Sequence, residues 1–218
     1  MIWNRFNNSA LLVALSAAAC TSAPKEAEVI LLPEETLNHA PVIDSVALSS
    51  NEAGIFVTST LAADIGPRLD AENQDLSFTY HWLINNQLAA NEIGPTMSLS
   101  GGHKGDRIAV FVLPYDGTIY GQGALSDAVT IANSLPSLAS VSLGPTSIDK
   151  NHGALVQPQG VLDPDNDRVA FTFFWSVGAT VVQTQEAHLP GRYLTAGESL
   201  TVRVVPNDGE AEGESVTS

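Results

Sequence analysis

The sequence is poor in the residues that mark disulfide scaffolds and nucleic-acid binders. It has one cysteine, so no disulfide can form within the chain. Its 9 Lys and Arg stand against 24 Asp and Glu, which gives a formal net charge of -15. Phosphate backbones repel a chain of this charge, so we expect no nucleic-acid partner. Long apolar runs and segments with a helical period are lacking too, which argues against a helical protein.

Motifs that carry catalysis are also lacking. The five histidines are scattered, without H-E-x-x-H or a pair at metal-ligand spacing. There is no G-x-S-x-G, and Gly121-Gln122-Gly123 is not followed by a helical pattern, so it indicates a turn rather than a phosphate loop. Paired carboxylates carry no weight in so acidic a chain. The sequence therefore predicts no enzyme, and no cofactor apart from the calcium ion considered below.

The first residues have the pattern of an export signal. Arg5 is the only charge in residues 1–19, and an apolar stretch runs from Ala10 to Ala19. Because this stretch is too short to cross a bilayer as a helix, it predicts a signal peptide. The end of the segment, Ala17-Ala18-Ala19-Cys20, resembles the lipobox of bacterial lipoproteins. That resemblance implies a diacylglyceryl group on Cys20 and cleavage just before it.

The lipobox resemblance also implies a location. With Thr21 rather than Asp after the cysteine, it points to the outer membrane of a Gram-negative bacterium, with the lipid as the membrane contact. Ordinary secretory cleavage after Ala19, leaving a free thiol, is the alternative. Residues 20–38 are then the lipidated cysteine and a tether, within which residues 29–32 are either tether or an edge strand of the first domain.

Beyond the tether, three blocks of sequence occur twice in the same order. NHAPVIDSVALSS at 38 corresponds to NSLPSLASVSLGP at 133, LDAENQDLSFTYHW at 69 to LDPDNDRVAFTFFW at 162, and KGDRIAVFVLPYDG at 104 to AGESLTVRVVPNDG at 196. Apolar residues alternate with polar ones inside the blocks, which is typical of strands with one buried face. The chain therefore carries an internal repeat of a β-rich unit.

Each unit has the size and pattern of an immunoglobulin-like β-sandwich. It has about 95 residues and some seven short strands, and Trp82 and Trp175 fall in the third strand, where such folds keep a core tryptophan. We predict an all-β chain with two tandem sandwiches, residues 39–133 and 134–218, the second with a short last strand. Gly117 should supply a positive φ in the turn between the last two strands.

Three aspartates ahead of the third strand of the second unit are the candidate metal ligands. Asp163, Asp165 and Asp167 alternate along the chain, and calcium takes six to eight oxygen ligands. The stretch resembles the D-x-D-x-D loop of polycystic-kidney-disease-like (PKD-like) and cadherin-like repeats of bacterial surface proteins, which implies a calcium site. The alternative is a turn stabilised by short polar side chains, with Arg168 neutralising part of the charge.

Two further places are weaker candidates for binding. The first unit keeps Asp70 and Glu72 in the corresponding loop, but Gln74 replaces the third carboxylate. Tyr115 and Tyr120 flank the PYDG turn, at an end of the sandwich where loops of such folds usually bind ligands. We therefore take these two tyrosines as candidate binding residues.

Together these features predict a non-catalytic lipoprotein of the cell envelope. It would be a structural or adhesion module that presents immunoglobulin-like domains at the bacterial surface, held to the membrane through Cys20. The alternatives are a module that binds a glycan, a peptide or calcium, and an accessory domain of an exported hydrolase system. In each case the expected partner is a protein or a glycan at the cell surface.

Overall fold

The computed structural model describes residues 37–218, in which the regular secondary structure is β-strand apart from a 3-10 turn at Gly191–Tyr193. The predicted signal peptide, Cys20 and the stretch at residues 29–32 lie outside the described residues. Within residues 37–218, no helix has the length and apolar character needed to cross a bilayer.

Within the described residues, the first sandwich contains ten strands, most of them short. They are β1 (Val42–Ile43), β2 (Val46–Ser50), β3 (Thr60–Ile65), β4 (Arg68–Leu69), β5 (Ser77–Ile84), β6 (Gln87–Leu88), β7 (Thr96–Ser98), β8 (Arg107–Tyr115), β9 (Ala124–Leu125) and β10 (Val129–Thr130). One sheet has the order β2-β3-β7, and the facing sheet has the order β10-β8-β5-β6 with β9 also on β8. The short strands β1 and β4 pair with each other.

The second sandwich repeats this plan with seven strands. They are β11 (Ser137–Asp149), β12 (Gly153–Leu162), β13 (Ala170–Val177), β14 (Thr180–Val182), β15 (His188–Leu189), β16 (Leu200–Asn207) and β17 (Val216–Thr217). A sheet of order β11-β12-β15 faces one of order β14-β13-β16-β17. The prediction of an all-β chain with two tandem immunoglobulin-like sandwiches is confirmed.

The central antiparallel strand pairs of the two sandwiches, β5 with β8 and β13 with β16, have the same register. Trp82 on β5 lies opposite Val110 on β8, and Trp175 on β13 lies opposite Val202 on β16. In the turn that follows β8, Gly117 has a φ of 97°, which confirms the predicted left-handed position. The two units thus share their strand pairing as well as their sequence pattern.

A fully buried tryptophan is the centre of each core. Trp82 and Trp175 both have 0% relative exposure, as the alternation predicted. Their indole Nε1 groups donate to the backbone oxygens of Gly94 and Glu186, each at 2.9 Å. Since a buried N–H without an acceptor would be costly, each indole also fixes a loop over its own core.

The outward faces of the tryptophan strands are covered by neighbouring side chains. Arg203 on β16 places its guanidinium 4.1 Å from the centre of the Phe174 ring. In the first sandwich His81 stacks on Phe111, with 6.3 Å between ring centres. These two outward positions therefore pack on the adjacent strand, which makes them weak candidates for a ligand surface.

We expect Trp175→Ala to lower the free energy of unfolding of the second sandwich by about 3–5 kcal/mol, because it leaves a cavity and removes the indole hydrogen bond. Urea denaturation followed by far-UV circular dichroism measures this change, while Trp82 fluorescence reports the first sandwich. Leu155→Ala, at a position that is 42% exposed, is the control and should change stability by about 0.5 kcal/mol or less. A loss below about 1 kcal/mol in Trp175→Ala would contradict the core assignment.

Candidate functional site

The candidate site lies where the second sandwich meets the first. The chain passes from β10 to β11 through residues 131–136, and three residues of this link, Ile131, Ser134 and Pro136, are buried. Next to the link are the turn before β13, which carries the three aspartates, and the turn after β16. Side chains from all three segments meet here, and we call this group the acidic junction.

The first aspartate of the junction builds its own turn. Asp163 accepts hydrogen bonds at Oδ1 from the backbone N–H groups of Asp165, at 2.9 Å, and Asp167, at 3.1 Å. Asn166 adopts a φ of 63°, a conformation that asparagine tolerates better than most residues. The turn that the sequence offered as the alternative to a metal site is therefore present.

The other oxygen of the same carboxylate has a different environment. Asp163 is only 8% exposed, and its Oδ2 accepts no hydrogen bond from any described residue. Leaving a buried acceptor unpaired costs about 1–3 kcal/mol, and more when it is charged. This oxygen therefore favours a cationic neighbour, which the turn alone does not provide.

The three aspartates have a geometry that fits a divalent ion. One ligand oxygen from each of Asp163, Asp165 and Asp167 lies within 4.8 Å of the other two. Oxygens on opposite sides of a calcium ion are about 4.6–5.2 Å apart, since each lies about 2.3–2.6 Å from it. Among residues 37–218, no other set of three or more His, Cys, Asp or Glu side chains converges in this way.

A lysine from the first sandwich reaches into the junction. Lys104 pairs with the Asp167 carboxylate, and its Nζ also lies 2.5 Å from Glu210 Oε1 and 3.0 Å from Asn133 Oδ1. Within the described residues, the ion pair of Asp167 is made by Lys104 and not by Arg168, the neighbour to which the turn alternative gave this role. The two carboxylates raise the pKa of the Lys104 ammonium well above its usual range.

Neutral donors hold the remaining carboxylates of the junction. The backbone N–H of Ser134 lies 2.5 Å from Asp165 Oδ2. Asn133 donates from Nδ2 to Asp208 Oδ2 at 2.8 Å. This bond, with those from the backbone N–H groups of Ala211 and Glu210, lowers the pKa of Asp208 to about 2. Asp208 is therefore ionised over the whole ordinary pH range.

The same acceptors recur at the corresponding end of the first sandwich. Asn38 donates to Asp116 Oδ2 at 2.9 Å, and the backbone N–H of His39 donates to Glu72 Oε2 at 3.1 Å. Asp70 accepts backbone hydrogen bonds at Oδ1, as Asp163 does. However, the oxygens Asn38 Oδ1 and Asp70 Oδ2 are buried without a hydrogen-bond partner among residues 37–218. Within residues 37–218, the first sandwich thus repeats the acceptors of the junction without an ion pair from a lysine.

Hydrogen bonds also favour the charged carboxylates of this end. The imidazole of His39 bonds Glu72 at 2.6 Å, and this contact lowers the pKa of Glu72. Burial opposes ionisation of Asp116, but bonds from the backbone N–H groups of Ile119 and Thr118 and from Asn38 outweigh it and lower the pKa of Asp116. Both carboxylates are therefore negative near neutral pH.

The two candidate tyrosines lie beside this end of the first sandwich. Their rings are 4.7 Å apart between centres and tilted by 39°. The hydroxyl of Tyr115 donates to the backbone oxygen of Gly117, while Tyr120 is 59% exposed. Only Tyr120 thus presents a largely free ring, and Tyr115 mainly supports it.

Sequence reasoning singled out the three aspartates that the structure brings together, but not Asn133, Lys104 or Glu210, which also belong to the junction. Asn133 had a usable signal, because Asn38 occupies the same place in the first unit and the proline-x-Asp-Gly turns also repeat. Lys104 had none, since Ala196 stands at its place in the second unit. Glu210 had no signal either, because nothing in the sequence distinguishes it from the other carboxylates of this acidic chain.

Comparison with known proteins adds little to this picture. No protein-family model and no curated protein matches the chain. Among solved structures, a two-domain fibronectin type-III segment of chicken tenascin matches with a TM-score of 0.42 and 14% identity, over 80% of this chain and 98% of that one. The three N-terminal domains of the bacteriophage RB49 highly immunogenic outer capsid protein match with a TM-score of 0.37 and 18% identity, over 79% of this chain and 58% of that one. At these values neither likeness supports a functional argument.

Removing the Asn133 amide should raise the pKa of Asp208 from about 2 part of the way to its ordinary 3.8. We expect this in Asn133→Ala because the largest stabilising hydrogen bond to the charged carboxylate is lost. A folded-state pKa below the unfolded one adds stability above about pH 4 that is lost as the pH falls towards 2, so the variant should lose less of its stability over that range.

NMR titration of the Asp208 side-chain carboxyl carbon gives the pKa directly, and urea unfolding between pH 2 and 5 gives the stability. Asn38→Ala is the matched control, since it removes the equivalent bond from Asp116 in the first sandwich. It should leave the titration of Asp208 unchanged. An unchanged pKa of Asp208 in Asn133→Ala would contradict the assigned cause.

Proposed function

We propose that the chain is a non-catalytic lipoprotein of a bacterial cell envelope, anchored through Cys20, in which two sandwiches act as a structural or adhesion module. The observation that carries this proposal is the acidic junction. Buried link residues and the contacts of Lys104 join the sandwiches by more than a flexible connection. A module of this kind holds a partner at a set distance from the membrane, and its partner would be a protein or a glycan at the cell surface.

The lipid anchor is supported by the residues around Cys20 alone. Small residues precede the cysteine, as lipoprotein processing requires, and two or more acyl chains give durable attachment to a bilayer. The tether then separates the anchor from the first sandwich. In this proposal the lipid holds the chain at the outer membrane. The sandwiches determine how far from that membrane the partner is held.

The anchor is tested by Cys20→Ser in the full-length chain expressed in a Gram-negative host. The unchanged chain should be found in the membrane fraction and should incorporate a clickable palmitate analogue. Cys20→Ser should lose the label because it lacks the thiol that accepts the lipid, whereas the control Thr21→Ser should keep it. An unlabelled unchanged chain with a free thiol at its N-terminus would instead indicate ordinary secretory cleavage.

A calcium-binding module is the second candidate, and the unpartnered Asp163 oxygen favours it. Asp163, Asp165 and Asp167 would hold the ion, and calcium would supply positive charge between the turn and the link. Three carboxylates provide fewer ligands than calcium prefers, so further oxygens and water would complete the shell. Such an ion would stabilise the junction that the structural role depends on.

Millimolar calcium should raise the melting temperature of the unchanged chain relative to the chain in chelator. Ligand at ten times its Kd stabilises the folded state by about 1.4 kcal/mol, which is several degrees for a domain of this size. Asp163→Asn should abolish the shift, since it keeps the turn acceptor but removes the charge. Asp149→Asn is the matched control, because Asp149 accepts turn hydrogen bonds in the same sandwich outside the cluster. No shift in the unchanged chain would rule out this function.

A further inference from the structure

The acidic junction already contains a positive charge that belongs to the chain. An ammonium group has three hydrogens to donate, and Lys104 has three acceptors around Nζ: Asp167, Glu210 and Asn133. All three acceptors belong to the link or the second sandwich, while Lys104 belongs to the first. The lysine is therefore a cross-link between the two sandwiches, of the kind a metal ion makes when it shares ligands from two domains.

Lys104 lies in a turn that hydrogen bonds hold in one conformation. The backbone N–H of Gly105 donates to Ile131 O at 2.8 Å, and the N–H of Ile131 donates to Asp106 O at 2.9 Å. Asp106 closes the turn by accepting the N–H of His103 at Oδ2, at 2.9 Å. Because Ile131 is buried at the start of the link, the turn and the link are fixed to each other. Less side-chain and backbone freedom is lost when a lysine on such a turn forms its contacts.

At the places of both partners of the ion pair between Lys104 and Asp167, the other unit has an uncharged residue. At the place of Lys104 the second unit has Ala196, and at the place of Asp167 the first unit has Gln74. The third carboxylate thus occurs in the loop that faces a lysine and is replaced by a neutral amide in the other loop. Asn38 Oδ1, the counterpart of the Asn133 oxygen that bonds Lys104, has no partner among the described residues.

A divalent ion and the ammonium compete for the same carboxylate. Asp167 offers a ligand atom to the aspartate cluster and is also the ion-pair partner of Lys104. Two cations sharing one carboxylate repel each other at short range. Occupation of the junction by the lysine therefore weakens the metal site, and loss of the lysine strengthens it.

We propose that the Lys104 side chain is the resident cation of the acidic junction, which fastens the two sandwiches without a metal ion and lowers the affinity of the aspartate cluster for calcium. The first part, the fastening, stands on the contacts of Lys104 alone. The second part rests on the calcium function proposed above, and the experiment separates the two.

The test compares Lys104→Met with the unchanged residue in the full-length chain carrying Cys20→Ser. Spin labels at Thr79→Cys on β5 and Gln157→Cys on β12, both at exposed positions, report the distance between the sandwiches by pulsed electron paramagnetic resonance. In chelator, Lys104→Met should at least double the width of the distance distribution. Added calcium should narrow it again, and isothermal titration without labels should show at least tenfold tighter calcium binding than in the chain with Lys104.

Two controls isolate the position of the charge. Lys150→Met removes an exposed lysine from the second sandwich and should leave both the distance distribution and calcium binding unchanged. When Lys104→Met is combined with Asp163→Asn, the distance distribution should stay broad after calcium is added. The calcium affinity should then show no gain. Lys104→Gln is a second neutral variant, so that a folding defect peculiar to methionine does not decide the result.

The outcomes distinguish the two proposals. The fastening role would be overturned if, in chelator, Lys104→Met and Lys104→Gln both had a distance distribution as narrow as that of the chain with Lys104. Measurable calcium binding of equal affinity with and without Lys104 would overturn the second part of the proposal, because the ammonium would then not compete with calcium for Asp167. A broader distance distribution in Lys104→Met, together with no calcium binding to any variant, would support the fastening role and rule out the calcium function.

Discussion

Backbone N–H groups in a tight turn need acceptors, and one aspartate in each sandwich supplies them. Asp70 and Asp163 each accept two backbone hydrogen bonds through Oδ1. This turn delivers the chain into the strand whose register places Trp82 or Trp175 in the core. The same carboxylate keeps a second oxygen, buried and negatively charged. The interaction that shapes the turn therefore also concentrates negative charge at one end of each sandwich.

That charge has different consequences at the two ends. The junction is enclosed by the link and by the first sandwich, so its carboxylates exchange part of their water for protein donors. The N–H of Ser134 and the amide of Asn133 satisfy hydrogen bonds but carry no net charge. Lys104 is the contact that brings positive charge from the neighbouring sandwich. In the fastening role proposed for Lys104, the order of the junction depends on this charge.

The fold could be predicted largely because its determinants are local in the sequence. Two-residue alternation, the repeated tryptophan and the glycine turns each act within a few residues, and the repeat shows each of them twice. Asp163 and its neighbours were found for the same reason. Along the chain, Lys104 is 63 residues from Asp167 and 106 residues from Glu210. No pattern specifies such a pair, because it arises only when the link sets one sandwich against the other.

The divergence of the two units has a physical meaning in this arrangement. An aspartate at the place of Gln74 would add one more carboxylate to the end of the first sandwich, whereas the ion pairs of Lys104 lie at the junction. Gln74 avoids that charge, and the imidazole of His39 bonds Glu72 at the place where the hydroxyl of Ser134 donates to Asp165 Oδ1 at 3.3 Å. The ends of the two sandwiches therefore share their backbone geometry but differ in the donors they require. The turn that carries Lys104 therefore matches the second end in charge, because the carboxylates of Asp167 and Glu210 meet its ammonium there.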